Sequence, residues 1–135
     1  ILKSAEINIL KDGSLDIADS ALKKLDVVSV AVHSLFKMPR AEMTKRIIKA
    51  ISHPLVNILF HPTGRLIQKR EPYEVDMAEI IKAAKKNHVA LELDCYPDRT
   101  DLRDVYVRQA VEAGVKIMTE MATFKSAAVS EKGCH

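Results

Sequence analysis

The sequence predicts an α/β fold with about five mainly parallel strands joined by helices, arranged as a sheet or barrel. Three observations predict it. Short apolar runs recur along the chain, and an amphipathic stretch follows most of them. Val27–Val32 is a continuous β-branched run, the pattern of a strand buried on both faces. Turn and stop signals, Lys11-Asp12-Gly13-Ser14 and Gly114 among them, punctuate the runs.

The elements follow in order. Ala5–Leu10 reads as a strand, closed by the turn Lys11-Asp12-Gly13-Ser14. Asp19–Leu25 can form a short helix, and Val27–Val32 is the second strand. Pro39 suits the first turn of a helix reaching Ile51, with Met43, Ile47 and Ile51 at four-residue spacing on one face. Val56–Phe60 is the third strand. Asp76–Asn87 is a helix with Met77, Ile80, Ile81 and Ala84 inward. Val89–Cys95 is the fourth strand, and Asp101–Ala113 a helix stopped by Gly114. Val115–Thr119 is the fifth strand. Residues 1–120 read as one unit, and 121–135, rich in Ala, Ser and Lys, as a divergent tail.

Composition narrows the function classes. The net charge is +3, from 21 basic and 18 acidic residues that alternate in sign, so no basic block marks a nucleic-acid footprint. The chain has no Trp, which argues against a surface that stacks bases. Cys95 and Cys134 match no zinc or redox spacing, and reduced thiols in a cytoplasmic protein are the expectation. No apolar run approaches the roughly 20 residues needed to span a bilayer. The chain opens on Ile1 in place of Met, as a piece of something longer would. There is no P-loop, no G-x-G-x-x-G, no H-E-x-x-H and no G-x-S-x-G.

In parallel α/β folds the site forms beyond the carboxyl ends of the strands. Glu6 lies within the first strand, His33 follows Val32, His61 follows Phe60, and Asp94 ends the fourth strand. A lone histidine there reads as a satisfied structural residue. Two at equivalent positions, beside a carboxylate, read equally well as metal ligands, a donor set that suits zinc, manganese or iron. His53, before Pro54, reads as a surface turn residue. His88 ends a lysine-rich helix, where a cation suits the dipole.

The stretch Ile58-Leu59-Phe60-His61-Pro62-Thr63-Gly64-Arg65-Leu66, followed by Lys69-Arg70-Glu71-Pro72-Tyr73 and Val75-Asp76-Met77, resembles the PHP domain (polymerase and histidinol phosphatase) of bacterial and archaeal family X DNA polymerases. Ala5-Glu6-Ile7-Asn8-Ile9-Leu10, Ser29-Val30-Ala31-Val32-His33-Ser34 and Ala90-Leu91-Glu92-Leu93 resemble its strands in the same order, and the likeness covers roughly Ile1 to Ile117. It implies the later half of a distorted (β/α) barrel of the PHP type, 1–120, with metal ions at the carboxyl ends of its strands. It implies Glu6 as a bridging carboxylate that is also catalytic, His33 and His61 as imidazole ligands, and Arg65 as a catalytic phosphate partner. The alternative for Arg65 is an ion pair with Glu71 or Asp76. The implied cofactor is a divalent metal, manganese or zinc. The implied substrate is a DNA 3′ end or another phosphoester, cleaved by a 3′-to-5′ exonuclease or phosphoesterase in a DNA-repair setting.

Two departures divide the functional expectation. The family's opening His-x-His strand has no counterpart in this sequence, and Ala122-Thr123-Phe124 stands where the family carries an Asp-Ala-His ligand triplet. Three ligands can hold one weak, open metal site. The chain therefore reads as a fragment or degenerate form of a PHP phosphoesterase domain, inactive by itself. The alternative is a catalytically inactive PHP-like binding or structural module. A partial barrel leaves strand edges open, so a homodimer or an upstream polymerase or PHP segment is the expected partner, with no membrane.

Overall fold

The computed structural model describes residues 2–64, 71–93 and 101–119. Strands β1 (Ser4–Asn8), β2 (Val27–Ala31), β3 (Ile58–Leu59), β4 (Ala90–Leu93) and β5 (Ile117–Thr119) alternate with helices α1 (Asp19–Leu22), α2 (Arg40–Ile51), α3 (Met77–Asn87) and α4 (Asp104–Ala113). The five strands form one all-parallel sheet in the order β1-β2-β3-β4-β5. Each strand lies beside its successor, so the winding direction never reverses, as in a segment of a barrel.

The strand period of two sorts residues onto two faces. Ile7, Val28, Val30, Leu59, Leu91 and Ile117 share one core with Met43, Ile47, Ile80, Ala84 and Ala110 of the helices. Ile58, Ala90 and Met118, with Val27 and Phe60 against them, form a second cluster to which no helix contributes among the described residues. The register places Glu6, Ser29, Ile58 and Ala90 in one row across the sheet. Glu6 therefore stands on the face opposite the described helices.

The helix ends follow from local chemistry. Pro39 precedes α2, where a missing N–H costs nothing. Asp76 caps α3 by accepting from the Glu79 N–H at 3.3 Å, and its own N–H donates to Thr44 Oγ1 of α2 at 2.8 Å. Gly114 ends α4 in the left-handed region at φ 87°, with Val115 N–H donating to the Ala110 carbonyl and Gly114 N–H to that of Val111. His88 ends α3 by the same pair of bonds at φ 56°, in a position that glycine usually takes.

Several expected bounds shorten. The first helix covers Asp19–Leu22 instead of Asp19–Leu25, and the third strand Ile58–Leu59 instead of Val56–Phe60. The fifth strand begins at Ile117, since the Val115 N–H serves the helix cap instead of the sheet. The last helix begins at Asp104. Asp101, expected as its first residue, lies before it and is fully buried. His53 stands partly exposed in the bend after α2, as expected of a turn residue, with its Nε2 3.0 Å from Asp19 Oδ1 and its Nδ1 accepting the Leu55 N–H at 3.1 Å. Among the described residues no helix is long and apolar enough to cross a membrane.

Candidate metal centre

Three successive strands deliver the site. Glu6 comes from β1, His33 from the segment after β2, and His61 from the segment after β3. One ligand atom of each lies within 4.8 Å of the others. His33 Nε2 is 3.1 Å from Glu6 Oε2, and His61 Nε2 is 3.6 Å from Glu6 Oε1, so the carboxylate lies between two imidazoles. The two rings meet edge to face, with centroids 5.4 Å apart.

Electrostatics favour an ionised carboxylate. His61 pulls hardest, by hydrogen bonding and by charge, and His33 adds to it. Together they hold the Glu6 carboxyl below its usual range against the opposing effect of partial burial. His33 makes the shorter contact, yet His61 dominates because it is 7% exposed and water screens it less.

The way His61 reaches this point is a backbone matter. Leu59 faces the helices and Phe60 the opposite side, so continued alternation would carry His61 to the helix face. Its φ of 31° breaks the extended run. Side chains from three other segments hold the resulting loop. Glu92 of β4 accepts the His61 N–H at 2.9 Å. Asp101 accepts the Thr63 N–H at 3.1 Å and the Thr63 hydroxyl at 2.8 Å. Tyr73 donates its hydroxyl to the Pro62 carbonyl at 2.6 Å and stacks on Phe36, three residues beyond His33. Asp101 is wholly enclosed, and burial pushes its carboxyl up although the Thr63 bonds oppose the shift.

The donor set fits a divalent cation. Ligands about 2.1 Å from a tetrahedral ion lie about 3.4 Å apart; each imidazole stands at about that distance from one of the two Glu6 oxygens, and one atom from each residue lies within 4.8 Å of the others. The surroundings are polar and unsatisfied: Asn8 Oδ1, Ser29 Oγ and His61 Nδ1 are buried without a hydrogen-bond partner among the described residues. Asn8 lies two residues after Glu6 and Ser29 directly across from it.

Sequence reasoning named Glu6, His33 and His61, and the fold brings all three together. Arg65, Arg70, Asp94, Cys95, Ala122 and Phe124 lie outside the described residues. Sequence reasoning missed Glu92 and Asp101 as supports of His61. A charge inside the apolar run Ala90-Leu91-Glu92-Leu93 was a visible signal for the first. Nothing local distinguished the second.

The chain is similar to two kinds of known protein. It is 42% identical over 118 residues to the DNA polymerase/3′-5′ exonuclease PolX of Bacillus subtilis (strain 168), a match covering 87% of this chain and 21% of that protein. It is 35% identical over 98 residues to a probable phosphatase of Thermoanaerobacter sp. (strain X514), covering 70% of this chain and 38% of the relative. A probable phosphatase of Acetivibrio thermocellus is 30% identical over 97 residues, again 70% of this chain and 38% of the relative. The chain thus spans between about a fifth and two-fifths of the length of these relatives. No protein-family model matches it.

Proposed function

We propose that this chain is part of a PHP-type metal-dependent phosphoesterase domain of the kind carried by family X DNA polymerases, and that Glu6, His33 and His61 hold a divalent cation against a phosphoester. The observation that carries this reading is the convergence of one carboxylate and two imidazoles, from three consecutive strands, within 4.8 Å. Manganese or zinc suits the donors, and such an ion acidifies a bound water and offsets charge on phosphoryl oxygens.

The chain's own groups would prepare the site. Glu6, held ionised by its neighbours, presents the negative charge of the donor set. The clamped loop from His61 to Gly64 fixes the direction of the second imidazole. Arg65, four residues after His61, is the phosphate partner of this proposal, because a guanidinium fork matches phosphate geometry. The likeness to a polymerase/3′-5′ exonuclease makes a DNA 3′ end the proposed substrate.

One observation favours a second reading, a PHP-like module that binds without chemistry. Ala122 and Phe124 stand where a ligand triplet is expected, and neither side chain can coordinate a metal. The 135-residue chain tested alone is therefore expected to bind one cation weakly and to trim DNA slowly or not at all. Calorimetry with manganese and with zinc, on the parent and on His33→Ala with His61→Ala, tests the site. Equal binding by both proteins would remove it. Release of nucleotides from a 3′-labelled single strand in manganese buffer tests the chemistry, with Glu6→Gln as control. Fast trimming that vanishes in Glu6→Gln would overturn the second reading and leave the phosphoesterase.

A further inference from the structure

Arg46 lies on the buried side of α2 and is 2% exposed. Its guanidinium has no acidic partner among the described residues. It donates instead to three backbone carbonyls. Nη2 reaches the Ile9 carbonyl at 2.6 Å, Nε that of Leu10 at 2.9 Å, and Nη1 that of Ser34 at 3.0 Å. The thioethers of Met38 and Met43 flank it at 3.5 and 3.9 Å.

An enclosed cation with no counter-charge among the described residues is an expensive way to fill a helix position that a methionine could pack. The carbonyls it holds are not scattered. Ile9 and Leu10 lie three and four residues after Glu6, and Ser34 directly follows His33. A guanidinium is a rigid planar fork, so three bonds from one such group fix the spacing between the segments that accept them. Those segments are the exits of β1 and β2, whose ligands meet 3.1 Å apart. The turn after β1 docks on the same helix. At Gly13, with φ 88°, a Cβ would lie 2.8 Å from the carbonyl oxygen of Arg46 itself.

We propose that Arg46 is a positioning residue that sets the spacing of Glu6 and His33, and through it the affinity of the site for a divalent cation. The affinity part rests on the metal reading above; the spacing part does not. Two variants separate geometry from folding. Arg46→Met keeps bulk and removes the fork. Arg46→Lys keeps the charge but offers a point donor that cannot bridge three carbonyls in one plane.

Manganese affinity, read by the loss of the free-ion paramagnetic resonance signal, should fall at least tenfold in Arg46→Met and severalfold in Arg46→Lys, both still melting cooperatively. The metal-free proteins supply the second readout. A proton Overhauser contact between the Glu6 side-chain methylenes and the His33 ring should be present in the parent and weakened in both variants. Parent affinity retained by a folded Arg46→Met, with the Glu6–His33 contact intact, overturns the proposal. Loss of cooperative folding in Arg46→Lys also overturns it, since Arg46 would then be a folding residue. If the parent binds no manganese the metal reading fails, and the Glu6–His33 contact alone decides whether Arg46 sets the spacing.

Discussion

Replacing Thr63 by valine removes a hydroxyl and leaves the shape of the side chain almost unchanged. Thr63 is 3% exposed, and its hydroxyl donates at 2.8 Å to Oδ1 of Asp101, which no water reaches. The Thr63 N–H still serves both carboxylate oxygens at 3.1 Å. The loss is therefore one hydrogen bond with no cavity to add, worth about 1.5–3 kcal/mol where the carboxyl is ionised and about 0.5–1.5 kcal/mol where it is protonated. For a chain of this size the larger loss lowers the melting midpoint by about 5–10 °C. The pH dependence has a definite sign. Burial raises the Asp101 carboxyl above 3.8, so its favourable contribution is complete below that value and is lost as pH rises through the folded pKa. The Thr63 hydroxyl offsets part of that loss by bonding the charged form. The deficit of Thr63→Val should accordingly widen as pH rises through the folded pKa of Asp101, and about pH 4 and about pH 8 are the two conditions compared. Urea melts in chelator at both pH values measure it. A deficit below about 0.5 kcal/mol at both would refute the idea that Asp101 anchors the His61 loop through Thr63.

Gly64→Ala and Gly114→Ala form a matched pair, since both residues have left-handed backbones, at φ 66° and 87°. At Gly114 the new Cβ meets only the flexible Lys85 Nζ at 2.9 Å, so the cost is the backbone term of about 1–2 kcal/mol. At Gly64 it lies 2.6 Å from the packed ring of Tyr73, so Gly64→Ala should cost clearly more; equal losses in denaturant melts would sink this account. Glu6 has a lowered folded pKa, so its contribution is present above 4.5 and is lost as pH falls through the folded value. Glu6→Gln should flatten the acid side of the stability–pH curve, and superimposable acid limbs would contradict it. β1 and β5 each have a strand neighbour on one side only among the described residues, so light scattering at micromolar concentration should report a dimer; a stable, cooperatively folding monomer counts against that expectation.

The linear pattern determined the order of elements and the candidate ligands. A β-branched run at 27–32, apolar positions at four-residue spacing in α2 and a glycine after α4 are local signals, and the elements formed where they stood. Two buried strands followed by histidines put His33 and His61 at carboxyl ends before any distance was known. Strand limits were less legible, because a strand ends where its neighbour stops offering partners. β3 keeps two residues although its apolar run is longer. Tertiary structure alone decided that Glu6 lies between the two imidazoles, that a left-handed turn at His61 aims its ring, and that Asp101 and Arg46 are buried. Arg46 lies three residues after Met43 and four before Ala50, so its place on the apolar stripe was a readable hint. Its partners were not readable, being the carbonyls of residues 12, 36 and 37 positions away. Periodicity reports which face of an element is apolar. Hydrogen bonds from a side chain to a backbone group distant in sequence leave no period, and those bonds hold the candidate site in place.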